Sequence, residues 1–226
     1  MQKGELEKRV FVFIDAEYVI QSLRTLRNKP REHRILINNI LWGNLIEYIL
    51  ANRLLKKVFY YSCELDEREN PLTYHSQQRY FKKLQEEISC IDLRLSQLQK
   101  VPLKTKSTWN EQQSSSSIRN KPWTYIQKGV DVKIALDLVL NAYKDLYDVA
   151  ILIAGDCDFL EAIKEVKALN KQVELITFDR TEKTSNVLIA ETSLHNELSY
   201  TQSNKRFFIT SYDDKLSQLR IKFGGN

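Results

Sequence analysis

Four short runs rich in Val, Ile and Phe, "RVFVFID", "KVFYYSCEL", "DVAILIAG" and "QVELITF", recur along the chain, and the segments between them carry apolar residues at helical spacing. Such alternation predicts an α/β fold, a parallel sheet with helices on both faces. After the first run, Val19, Leu23 and Leu26 mark one face of a helix in "AEYVIQSLRTLR". A longer helix is predicted over "HRILINNILWGNLIEYILANRLL", where Ile37, Leu41, Leu45, Tyr48 and Ile49 fall at helical intervals. "DERENP" breaks the second strand, and "LTYHSQQRYFKKLQEEI" restarts a helix along Tyr74, Gln77, Phe81 and Leu84. "SCIDLRLSQL" alternates as a further strand.

The periodicity then stops. Residues 99–128 hold two prolines and four consecutive serines, and read as a long mobile insertion. "GVDVKIALDLVLNAYKDL" resumes as a helix apolar nearly all round, the pattern of one sandwiched in the core. Beyond the last two strands and the helix "DFLEAIKEVKALN" between them, "NVLIAETSLHNEL" reads as a final helix. Residues 1–200 are expected to form one domain, and 201–226 a tail with a hairpin around its paired aspartates, packed on the domain or on a partner.

Composition adds three constraints. Every apolar run is far shorter than the roughly 20 residues that span a bilayer, and the charged N-terminus lacks an apolar leader core, so a cytoplasmic protein with no membrane partner is expected. Cys63, Cys90 and Cys157 have no metal-ligand spacing and read as reduced thiols, and His33, His75 and His195 are equally scattered. The formal net charge is +5, and the segment from Lys100 to Lys128 accounts for it with six basic residues against the single acid Glu111. A polyanion is therefore drawn chiefly to this insertion. It interleaves Lys104, Lys106, Arg119, Lys121 and Lys128 with Trp109, Trp123 and Tyr125. Cations along phosphates with aromatic faces under bases are how single-stranded nucleic acid is held, so such a strand is the expected partner of the insertion.

The chemistry is carried by acids. Ligands of open parallel sheets bind beyond the carboxyl ends of the strands. Asp15 ends the first strand, and Asp156 and Asp158 follow the strand "DVAILIAG". If those strands are neighbours, three carboxylates meet there, with Asp131 at the start of the apolar helix as a fourth. A lone acid in a helix's first turn is ordinarily explained by the helix dipole. Several together repel unless a hard cation such as Mg²⁺ or Mn²⁺ neutralises them, and such an ion can activate water for phosphodiester hydrolysis. Asp137, about 240° around the helix from Asp131, cannot share its face, and either pairs with Lys133 or supports the site from behind. Cys157 between two acids makes a poor nucleophile.

The segments "VFVFIDAEYV", "KGVDVKIALD" and "ILIAGDCDF", in this order, resemble the NYN domain family, the LabA-like branch of the PIN-type nucleases. The resemblance implies a PIN-like three-layer sandwich with a central, mostly parallel sheet, and a metal-dependent endoribonuclease acting on single-stranded or loop RNA. It further implies Asp15, Asp131, Asp156 and Asp158 as catalytic metal-binding acids, Mg²⁺ or Mn²⁺ as cofactor, and self-association into a homodimer. The chain departs from the pattern at Tyr18, where the family usually has Asn, at Ala154, where Ser is common, and at Cys157, in place of Ser. Glu17 could supply a compensating oxygen. The Tyr18 departure keeps open a catalytically weak or inactive RNA-binding adaptor. A haloacid-dehalogenase-type phosphatase fits less well, since Glu17 stands where such enzymes carry a second Asp.

Overall fold

In the computed structural model, described here for residues 8–25, 40–102, 123–178 and 184–198, seven strands form a single sheet. They are β1 (Arg9–Asp15), β2 (Leu54–Glu64), β3 (Ile91–Pro102), β4 (Trp123–Gln127), β5 (Val149–Ile153), β6 (Gln172–Phe178) and β7 (Leu194–Leu198). The helices are α1 (Ala16–Thr25), α2 (Trp42–Leu50), α3 (Pro71–Glu87), α4 (Val130–Tyr143), α5 (Leu160–Ala168) and α6 (Asn186–Glu191). Strand order is β4-β3-β2-β1-β5-β6-β7, and every pairing is parallel except β3 with β4. The chain builds outward from β1 to β4 and returns to start the second wing at β5, against β1.

β1, β5 and most of β6 are buried on both faces, which is why they read as unbroken apolar runs. Alternation along β1 divides the core into two layers. Val10, Val12 and Ile14 pack with Val19, Leu45, Phe81 and Leu84, in the layer covered by α1, α2 and α3. Phe11 and Phe13 face Ile134, Leu138, Ile163 and Val166, in the layer covered by α4 and α5. The result is the three-layer α/β/α sandwich.

Four expectations need correction. The long second helix is short: among the described residues it covers Trp42–Leu50, because Ala51 and Asn52 adopt left-handed conformations that stop it and "LL" at 54–55 enters β2. The insertion is structured at both ends, where Lys100 pairs with Tyr125 and Leu98 with Gln127 in an antiparallel ribbon. α4 is not sandwiched: Val130, Ile134, Leu138 and Ala142 are buried, but Val132, Leu136, Leu140 and Tyr143 face solvent. The last predicted helix stops at Glu191, and "LHNEL" is β7 against β6. The tail from 201, the part of the expected second helix before Ile40 and the expectation for Leu26 lie outside the described residues.

Arg53 closes the edge opposite the carboxyl ends. Its guanidinium donates to the α2 carbonyls of Ile49 and Leu50, both at 2.9 Å, and to both oxygens of Glu174 on β6, at 2.5 and 2.8 Å. Both side chains are nearly buried. Removing one partner of such a pair leaves an uncompensated charge. Arg53→Ala is expected to lower stability by about 3–5 kcal/mol in urea unfolding, and adding Glu174→Gln is expected to recover a large part of that loss.

Candidate active site

β1 and β5 are hydrogen-bonded neighbours, with Ile14 opposite Ile153. This is the point where strand order reverses, the place where open α/β sheets leave a crevice. Asp15 is the last residue of β1 and is buried. Its Oδ1 accepts the backbone N–H groups of Glu17 and Tyr18 at 3.0 and 3.2 Å, capping α1. Across the seam, Gly155 ends the run of β5, and its carbonyl accepts the Ser185 N–H at 3.0 Å. Asp156 caps the turn that follows, its Oδ1 accepting the Asp158 N–H at 3.1 Å. Each acid is thus oriented by backbone donors of its own segment. The ligand atoms of Asp156, Cys157 and Asp158 lie within 4.8 Å of one another and are exposed.

Asp131 joins them from the first turn of α4, behind Gly129, whose φ of 79° suits glycine. Electrostatics ties the four together. Burial pushes the Asp15 carboxyl up to about 6 despite its two N–H donors, and the Asp131 charge pushes the same way. The Asp131 carboxyl is raised by partial desolvation and then by the charges of Asp156 and Asp158. The Cys157 thiol is raised by its hydrogen bond to Asp156 and by both neighbouring acids, which keeps it protonated. Carboxylates that raise one another fit a hard divalent cation, which would relieve the repulsion, and among the described residues the ligand atoms close enough to share one ion are those of Asp156, Cys157 and Asp158.

The other residues singled out fare differently. Glu17 stands beside the cluster, accepting from Gln21 and, at 3.0 Å, from Gln127 of β4, so the ribbon reaches the crevice. Tyr18 is buried, and its hydroxyl accepts the Phe178 N–H at 3.2 Å and meets Thr184 Oγ1 at 3.1 Å. It pins the end of β6 to α1. Asp137 is drawn away from the acids: it accepts the Tyr61 hydroxyl at 2.8 Å and lies 3.4 Å from the Arg94 guanidinium. Lys133, its expected partner, instead donates to the Leu95 carbonyl at 2.8 Å. Lys128 is exposed immediately before α4, and Trp123 opens β4. Lys104, Lys106, Trp109, Arg119 and Lys121 lie outside the described residues. Gln127 and Arg94 were missed by sequence reasoning, because only the pairing of β3 with β4 and of β2 with β3 brings them to their acids, whereas Gln21, four residues after Glu17 on α1, was open to the helical spacing rule.

A comparison with protein families matches the NYN domain over residues 9–197. The chain belongs to the NYN domain family. NYN domains are PIN-like nucleases, and the seven-stranded, mostly parallel sheet flanked by helices agrees with that sandwich. Nucleases of this class generally use divalent metals, and this NYN domain holds acids of the corresponding kind in its Asp156-Cys157-Asp158 turn. A solved structure of a protein of unknown function from Vibrio parahaemolyticus shares the fold at 16% identity, with a TM-score of 0.54 over 92% of this chain and all of that one. No curated protein matches significantly. No helix among the described residues is long and apolar enough to cross a membrane.

The Asp15 carboxyl has a pKa near 6 in the folded chain against an ordinary 3.8, so the folded state holds the proton more tightly. Its penalty is absent below pH 4, grows through pH 6 and is fully present at pH 7.5, at most about 3 kcal/mol from this shift. Asn keeps the helix cap without the charge. Asp15→Asn is therefore expected to raise the melting temperature of metal-free protein at pH 7.5, with the advantage fading toward pH 4, and to lose the stabilisation that Mn²⁺ gives the wild type. Tyr18→Asn restores the residue common in the family but removes a buried ring and the acceptor for Phe178. It is expected to cost about 3 kcal/mol, as large-to-small core changes do, measured by chemical denaturation.

Proposed function

We propose that this NYN domain is a divalent-metal-dependent endoribonuclease that cleaves single-stranded or loop RNA, with Asp15, Asp131, Asp156 and Asp158 holding Mg²⁺ or Mn²⁺. What supports the proposal is Asp15 at the end of β1 beside β5 and the exposed Asp156-Cys157-Asp158 turn that follows β5, with the Asp15 and Asp131 carboxyls raised because burial and like charge oppose their ionisation. A stable fold has no use for that repulsion, whereas a cation site does. When bound, the ion supplies an activated water and stabilises the departing oxygen.

The protein's own part is orientation. Asp15 is fixed by two N–H groups of α1 and Asp156 by that of Asp158, so both present their remaining oxygen without reorganising. Glu17, held by Gln21 and Gln127, flanks them. Lys128 and the cations at 104, 106, 119 and 121, with Trp109 and Trp123, form the arm that draws in the RNA backbone and stacks its bases. The nucleophile is water rather than the neighbouring 2′-hydroxyl, and the 3′ oxygen departs, so the products carry 5′-phosphate and 3′-hydroxyl ends.

The test incubates labelled single-stranded RNA, single-stranded DNA and duplex RNA with the protein in Mg²⁺, Mn²⁺ or EDTA, beside an Asp15→Asn/Asp156→Asn variant. Cleavage of single-stranded RNA is expected only with metal, and to fall at least about 100-fold in the variant, in line with removing preorganised charge from a site. Products ending in a 2′,3′-cyclic phosphate would overturn the mechanism. RNA binding without cleavage by the wild type in any metal would favour the RNA-binding adaptor, which the structural employment of Tyr18 in place of Asn supports.

A further inference from the structure

Next to the acids, on the same carboxyl edge, lies a cavity of about 690 Å³ between the end of β2, the start of α3 and the β3–β4 ribbon. Its size is that of a small-molecule site. Tyr74, Tyr125, Leu65 and Leu98 contribute its aromatic and apolar surface. The walls are fixed by bonds of their own: Gln77 accepts the Leu65 N–H at 2.9 Å and donates to the Cys63 carbonyl at 2.9 Å, and Asn70 caps α3 through the Thr73 N–H at 3.1 Å. The Lys100 ammonium, itself 2.7 Å from Glu69, stands 6.0 Å from the Tyr125 ring centroid.

The charges decide what fits. Four carboxylates, Glu64, Asp66, Glu67 and Glu69, line the cavity against two cations, Arg68 and Lys100, each of which is already paired with an acid. A phosphate is repelled, while a flat neutral ring can stack on tyrosine with its polar edge against oxygen acceptors. Carboxylates accept from exocyclic amino groups such as that of cytosine. The position suits another part of a strand that also lies on the acids: β3 is two strands from β1, about 10 Å sideways, Tyr125 pairs with Lys100, about 20 Å along β3 from Arg94, which is level with Asp15, and Gln127 on β4 touches Glu17.

Building on the nuclease reading, we propose that this cavity is a nucleobase subsite, which takes one unpaired, amino-bearing base of the RNA several nucleotides from the phosphate that lies on the carboxylates. Tyr125 supplies the stacking face and Tyr74 the facing wall. The base is read by its ring and edge, and the arm's cations bind the backbone independently of sequence.

The experiment measures binding of a labelled single-stranded RNA to the full chain in EDTA by fluorescence anisotropy, for wild type, Tyr125→Phe, Tyr125→Ala and Tyr74→Ala, with thermal melts to verify folding. Tyr125→Ala is expected to weaken binding about ten-fold, the range of one lost base stack, Tyr74→Ala to weaken it several-fold, and Tyr125→Phe to leave it unchanged. An abasic oligomer should bind wild type and Tyr125→Ala equally weakly, and a C-rich or A-rich oligomer should outcompete a U-rich one. Wild-type affinity in folded Tyr125→Ala, or equal affinity for abasic RNA, overturns the subsite. Cleavage by the same proteins in Mn²⁺ separates the two readings. Cleavage by Tyr125→Ala at unchanged KM removes the cavity and leaves the nuclease; base-dependent binding without wild-type cleavage removes the nuclease and leaves the subsite; absence of RNA binding removes the subsite.

Discussion

A carboxylate buried at the end of the central strand is the constraint around which this molecule is arranged. Asp15 sits where β1 meets β5, with apolar layers above and below and only the crevice open to water. Two N–H groups of α1 compensate its charge in part, yet desolvation outweighs them and holds its pKa well above that of a free aspartate. The neighbouring acids make the imbalance worse. What tolerates this locally is strong packing elsewhere: two continuous apolar layers and an Arg53–Glu174 clamp at the far edge. The stability of the sandwich is concentrated away from the crevice, and the strain is concentrated in it.

Much of this was legible in the sequence. β1, β5 and β6 could be read directly because strands buried on both faces need no alternation, only a short apolar run with turn residues after it. The places of Asp15, Asp156 and Asp158 at the carboxyl edge were legible for a related reason, since each follows such a run, whereas Asp131 opens a helix. Their adjacency was not, because strand order is a tertiary property. The ribbon at 98–102 and 123–127 was hidden by the prolines and serines between its strands, and "LHNEL" carries too few apolar residues to declare itself an edge strand. α4 misled in the opposite direction, its apolar composition standing for burial on every side when only one face packs inward. Asp137 went astray because its partners, Tyr61 and Arg94, come from other strands.

Tyr18 illustrates how one position can change its allegiance. In a family that generally offers an amide here, this chain has a phenol long enough to pass the crevice and reach Phe178 and Thr184. The residue has become a strut between the two wings of the sheet. Glu17 and Gln127 occupy the neighbouring space, so the polar lining on that side of the acids is supplied partly by the ribbon. The ribbon therefore completes the wall of the crevice as well as bordering the cavity beside it.

The strand order also bears on when the site can exist at all. Asp15 ends β1 and Asp156 follows β5, its neighbour, yet among the described residues β2, β3, β4 and the helices α1 to α4 lie between them in sequence. Contacts of such sequence separation form late and slowly, since the loop entropy must be met before the pairing returns anything. A chain grown from its N-terminus contains β1 and β2 before β5, so until β5 is made the β1 edge that it covers has no strand against it. A chain ending before β5 holds Asp15 and Asp131 but not the turn of Asp156 and Asp158. Any arrangement that draws on all four acids therefore exists only once β5 and that turn have been added.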